Sequence, residues 1–196
     1  MQDERDDKLL RRLRQTRVLV IHPDDEDRKT LNDHLRRIGC QTSTIWPVPT
    51  SVPDDVDVVM FLLNRLDDAK DLTWMASSDT ITRIAIVAYE TPEILAELER
   101  LHVHGVLSKP VRVFGVLSAL TTSIGVARHE GRLKQRIKSL DETLKARRQI
   151  EKAVAILSQT KNITEADAYK RLRDKSMSSK IAIADLAEAI ISSNDI

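Results

Sequence analysis

The sequence predicts a parallel, doubly wound α/β domain followed by a wholly helical half. Three observations carry this. Short β-branched runs alternate with segments of helical period over about residues 17–126. No proline follows Pro110, and the apolar residues beyond Gly131 recur at spacings of three and four. Charge also divides: residues 1–127 hold 16 Lys/Arg against 20 Asp/Glu, whereas residues 128–180 hold 15 against 7. Such asymmetry between halves points to nucleic acid or another acidic surface as the partner of the second half.

The elements follow in order. Arg17–Ile21 (RVLVI) reads as a buried strand ending at His22-Pro23. Asp24 is placed to cap a helix whose apolar positions include Leu31, Leu35 and Ile38, and Gly39 stops it. Gln41–Trp46 is a second strand, and Pro47, Pro49 and Pro53 punctuate the loop after it. Asp57–Leu63 is nearly all apolar, as a strand covered on both faces must be, and Ile81–Ala88 is another. Thr91 caps a helix with Pro92 at its first position. That helix is expected to end near His104-Gly105, where the dipole favours His104. Val106–Ser108 is the last strand, and a helix starts at about Val111.

Composition excludes several classes. The 196 residues are 41% hydrophobic, 31% charged and only 3% aromatic, enough for one domain or two small ones without an aromatic-walled pocket. No apolar run reaches the roughly 18 residues of a membrane span, and the charged N-terminus lacks a secretory apolar core, so a cytoplasmic protein is expected. Cys40 alone makes neither an intrachain disulfide nor a zinc site and reads as a buried small hydrophobe. His102 and His104 lack a third ligand, so no metal is expected, and Asp54-Asp55 and Asp67-Asp68 read as solvated loop residues. With five glycines and no Gly-rich phosphate loop, neither a cofactor nor catalysis is expected.

Val106–Pro110 (VLSKP) resembles the Lys-Pro that follows the fifth strand of response-regulator receivers. The resemblance covers about residues 17–126 and implies a flavodoxin-like fold. The departures concern the phosphorylation site: His22 and Pro23 stand at the acidic positions after strand one, Leu62 at the phosphoacceptor and Val87 at the Thr/Ser position, leaving only Lys109. Magnesium needs hard oxygen ligands and phosphoryl transfer needs a carboxylate nucleophile, so an inert pseudo-receiver is expected, with Lys109 structural.

In the second half, Leu133, Ile137, Leu140 and Leu144 form an a/d seam, expected to dimerise the chain as a coiled coil over residues 127–146. The plainer alternative is an amphipathic helix packed on its own domain. The apolar set then rotates to Ile150, Ala153, Ala155 and Leu157. Thr164-x-x-Asp167 starts a helix with Ala168, Tyr169, Leu172 and Ser176 on its buried face. Ile183, Leu186, Ala187, Ile190 and Ile191 belong to a last one. The cations left outside are Arg147, Arg148, Lys152, Lys170, Arg171, Arg173, Lys175 and Lys180.

The spacing of those apolar positions over about residues 144–192 resembles the ANTAR domain, an RNA-binding module of bacterial antiterminators. With the receiver resemblance, and with Trp46-Pro47-x-Pro49 and Tyr89-Glu90-x-Pro92, the chain is similar to AmiR-like transcription antitermination regulators. The implied organisation is an extension at 1–16, a pseudo-receiver at 17–126, a linker coil at 127–146 and a three-helix ANTAR bundle at 147–196. The resemblance implies binding to hairpins of a nascent mRNA leader so that no terminator forms, and control by a small-molecule-sensing protein partner. Val154 stands where the family often has Lys and would remove one cation from the RNA face; Ala155 replaces a Gly. With Tyr169 in the core, recognition is expected to use Arg and Lys with little stacking. A DNA-binding transcription factor and a protein-interaction adaptor are the alternatives.

Overall fold

Six consecutive apolar residues have no polar face to offer water, and Val58–Leu63 accordingly lies at the centre of a sheet. The computed structural model describes residues 11–51, 55–64, 72–76 and 80–194. Pro53, Asp54, Asp67 and Asp68 lie outside those residues. The elements are β1 Arg17–Ile21, α1 Glu26–Ile38, β2 Gln41–Ile45, β3 Val58–Leu63, α2 Thr73–Ala76, β4 Thr82–Val87, α3 Pro92–Arg100, β5 Gly105–Ser108, α4 Val113–Lys161, α5 Glu165–Ser179 and α6 Ile183–Asn194. The strands run parallel in the order β2-β1-β3-β4-β5, the flavodoxin-like arrangement. Contacts divide the chain into one unit up to Arg132 and another from Leu133.

Alternation along the strands builds two cores. Val18, Val20, Met60, Leu62, Ile84 and Ile86 meet Leu31 and Leu35 of α1 and Val116, Leu120 and Ile124 of α4. Leu19, Ile21, Phe61, Leu63 and Ala85 meet Met75 of α2, Ile94 of α3 and the adjoining Leu101. Leu13, from a helical turn at residues 11–14, is also fully buried, and so is Cys40 nearly. β2 is the polar edge strand and stops at Ile45, leaving Trp46 outside it.

Two helix boundaries differ from expectation. The cap of α1 is Asp25, not Asp24: Asp25 is extended and its carboxylate accepts the Arg28 N–H at 2.9 Å, while Asp24 pairs with the Arg28 guanidinium. Gly39 ends α1 with φ 98°, a left-handed conformation that costs glycine little. α3 stops at Arg100, so His104 lies beyond the helix and owes nothing to its dipole. Its buried Nδ1 accepts the Arg83 backbone N–H at 2.9 Å, and Nε2 lies 3.4 Å from Glu130. Burial, then Arg83, pushes the His104 pKa down, with Glu130 opposing.

α4 comes so close to β5 that a Cβ on Gly105 would run into the Ser123 Oγ. That hydroxyl is buried without a hydrogen-bond partner among the described residues. Gly105→Ala is expected to cost about 1–3 kcal/mol, by overpacking, in a denaturant titration. Adding Ser123→Ala should recover most of it, since the obstructing atom makes no hydrogen bond; no recovery would show a clash with the backbone instead.

The second unit is built on small residues. Ala153 and Val154 of α4, Ala168 and Leu172 of α5 and Ala187 of α6 are buried together, with Ile150, Leu157, Ile183, Leu186, Ile190 and Ile191 partly buried around them. Thr164 caps α5 by accepting the Asp167 N–H. α5 runs through Ser178 and Ser179, and Lys180 ends it in the left-handed conformation.

Candidate functional site

The receiver site is built by the loops after β1 and β5. Pro23 and Asp24 carry the chain from β1 into α1, so the first turn of that helix brings Asp25 and Asp27 to the C-terminal edge of the sheet. The chain after β5 brings Lys109 to the same place. Its ammonium lies 3.0 Å from Asp25, 3.1 Å from Asp27 and 3.3 Å from the His22 Nε2. His22 is fully buried, and its Nδ1 faces the Pro23 carbonyl at 2.9 Å and Asp25 at 3.3 Å. His22 thus meets oxygen acceptors through Nδ1 and the Lys109 ammonium through Nε2. Asp27 also accepts the Val111 N–H at 2.5 Å, fastening α1 to the chain that leads into α4.

The charges are mutually supported. Burial works against the charged form of Lys109, but hydrogen bonds to Asp25 and Asp27 outweigh it, and its pKa stands above the ordinary value. For Asp25 burial is likewise overcome, by the Arg28 N–H and Lys109, and the pKa falls below the ordinary range. Leu62 lies one residue before the end of β3 and is only 4% exposed, packed in the core; Val87 is buried on the other face. The positions expected from the sequence to match the phosphoacceptor and the Thr/Ser are therefore buried hydrocarbon, and Lys109 is engaged by Asp25 and Asp27. Asp27 was not singled out in the sequence. A lysine left without its usual acidic neighbour was the available signal, because a partly buried ammonium requires a new one.

At the opposite end of the sheet, Arg17 makes a two-pronged pair with Asp57 at 3.0 and 3.1 Å and a further ion pair with Asp55. Its hydrogen bonds hold the Asp57 carboxyl below the ordinary range. Asp55 is exposed to solvent, as expected of a loop residue, and pairs with Arg17 as well. Among the described residues no group of three His, Cys, Asp or Glu is arranged to hold a metal. No described helix is long and apolar enough to cross a membrane.

The eight candidate RNA-contacting cations are all exposed but do not form one face. Arg147, Arg148 and Lys152 stand on α4, and Arg147 is engaged with Glu151 at 2.9 Å. On α5, with Leu172 facing the core, helical phase sends Arg171 and Lys175 to one flank and Arg173 to the other; Lys170 points away. Lys180 is the cap residue of that helix. Tyr169 does not lie in the core, contrary to what its spacing predicts: it is 46% exposed on the Arg173 flank, because Ala168 and Leu172 already fill the side that faces the bundle. Val154 also lies elsewhere than expected. At 7% exposure it is a core residue, so its apolar side chain removes nothing from an exposed RNA face.

Leu133, Ile137, Leu140 and Leu144 are between 50% and 65% exposed. Among the described residues, nothing covers this row of four large apolar side chains, each about one helical turn from the next.

These features place the chain in a class with a receiver-like parallel α/β domain, buried hydrocarbon at positions 62 and 87, and a helical C-terminal region. Residues 16–124 match the family model described as AmiR, N-terminal, and residues 138–191 match that of the ANTAR domain. The aliphatic amidase regulator of Pseudomonas aeruginosa is 31% identical over 185 residues, covering 93% of this chain and 94% of the relative. The chain belongs to the AmiR family. Its general role is therefore that of an RNA-binding antitermination regulator. Two solved structures share the fold. The response regulator StyR has TM-score 0.54 at 16% identity over 91% of this chain and 98% of that one. A pilus assembly-related protein from Burkholderia pseudomallei has TM-score 0.51 at 13% identity over 58% and 92%.

Proposed function

We propose that the chain binds hairpin loops of a nascent mRNA leader and so prevents a terminator from forming, acting as a homodimer joined along Leu133, Ile137, Leu140 and Leu144. Its control comes from a protein partner that senses a small molecule, not from aspartate phosphorylation. The observation that carries the reading is α5: within the ANTAR match it exposes Lys170, Arg171, Arg173 and Lys175 together with Tyr169. Loop bases are unstacked and readable, whereas the major groove of an RNA stem is too narrow for side chains. The four cations supply phosphate contacts, and Tyr169 offers a ring on which a base can stack. The reading of control is supported by Leu62 in the core and by Lys109 held between Asp25 and Asp27.

The test is titration of a two-hairpin leader RNA across a salt series, with duplex DNA and loop-scrambled RNA as controls. Loop-dependent binding is expected, and Arg173→Ala should reduce the slope of log K against log salt by about 0.7. Tyr169→Ala should weaken loop binding by about 1–3 kcal/mol with little change of slope. Equal, weak binding to all three nucleic acids would overturn the reading.

A further inference from the structure

We infer that the groove between α5 and α6, floored by α4, takes one unstacked nucleobase of the RNA loop, while Arg171 and Lys175 hold the phosphates beside it. The inference rests on the RNA-binding reading above and adds to it a defined place for a base. Leu157 of α4, Leu172 of α5, and Leu186 and Ile190 of α6 line a cavity of about 430 Å³. That lies within the range of roughly 300–1,000 Å³ typical of small-ligand sites. The gap has a cause in the sequence. Ala153, Val154, Ala168 and Ala187 are too small to fill the space between three helices, so Leu157, Leu186 and Ile190 remain only partly buried around an open slot beside the buried Leu172.

Charge identifies the occupant. Arg171 and Lys175 are four residues apart, about 5–6 Å between Cβ atoms, and both stand at the mouth of the cavity. Neither is paired with a carboxylate among the described residues, and no acidic residue lines the cavity. On α6 the lining side carries Leu186, Ala189 and Ile190, and helical phase turns Asp185 and Glu188 elsewhere. An apolar slot under two cations one turn apart suits a flat, uncharged base between two successive phosphates. Arg171 and Lys175 lie on the flank of α5 away from Tyr169, so a base in the groove is distinct from one stacked on the tyrosine.

The test uses the full chain and the same leader RNA, with Ala189→Phe to fill the groove and a single abasic nucleotide moved through each loop position. Ala189 is exposed, so its replacement is compatible with folding, checked by helicity and melting. Ala189→Phe is expected to weaken loop binding about 10- to 100-fold. One abasic position should weaken wild type to the same degree and leave the variant unchanged. As a second readout, 2-aminopurine at that position should change fluorescence on binding wild type and not on binding Ala189→Phe. Unchanged affinity of Ala189→Phe, as for a groove meant for a protein helix, would overturn the inference, and so would abasic losses that multiply with it. In both cases loop binding by wild type would leave the RNA reading standing. Wild type without loop preference would overturn that reading itself.

Discussion

Leu140→Asp is expected to separate the protein into monomers and to weaken its binding to a two-hairpin leader by about 10²- to 10⁴-fold, the avidity that a second linked module supplies. Its affinity for a single hairpin should be unchanged. The physical basis is the uncovered row Leu133, Ile137, Leu140 and Leu144, whose 4-3-4 spacing keeps all four on one side of α4. Burying that apolar surface is worth roughly 25 cal/mol per Å², and within the described chain nothing covers it. A carboxylate in the seam would have to be desolvated opposite leucine or against its own copy, which association cannot offset. Sedimentation equilibrium checks the outcome. A wild-type chain that stays monomeric at micromolar concentration, or a variant that stays dimeric, would sink the coiled-coil reading.

Lys109→Met is expected to cost about 1–3 kcal/mol at neutral pH, because it leaves two carboxylates facing each other. The figure is kept modest because Asp25 is partly open to water. The pH dependence has a definite sign. Asp25 is depressed in the folded state, so its contribution is full above the unfolded carboxylate value and is lost as pH falls through the folded one. Lys109 is raised, so its contribution is full below the unfolded lysine value and is lost as pH rises through the folded one. The gap between wild type and Lys109→Met should therefore be widest between about pH 5 and 9 and close on acidification below about 4. Denaturant titrations at several pH values measure it. Combining Lys109→Met with Asp25→Asn and Asp27→Asn should restore much of the stability, since asparagine still caps α1. A gap that persists in acid would show that Lys109 acts through packing of its stem alone.

Local periodicity made most of the fold readable. A strand such as Val58–Leu63 is apolar along its whole length only when both faces are covered, and Thr91-Pro92 and Gly39 mark helix ends through backbone chemistry that needs no distant partner. The errors share a different character. Asp24 and Asp25 are equal candidates until the path of the chain after His22 decides which is extended one residue before the helix. His104 looked like a helix end because nothing local reveals that the chain turns at His102. Tyr169 and Val154 sit on helices whose apolar faces are wide enough to admit either assignment, and only the close fit of Ala153, Ala168 and Ala187 decides which residue is inside.

The alternation of strands and helices, the hydrocarbon at positions 62 and 87 and the cationic character of α5 follow from composition and period, which act within a few residues. Tertiary structure alone decided that Lys109 answers to Asp25 and Asp27 across more than eighty residues. It also decided that Arg171 and Lys175 overlook an apolar slot while Arg173 and Tyr169 occupy the other flank. Ion pairs and cavities depend on distances between segments far apart in the chain, and no local pattern carries those distances.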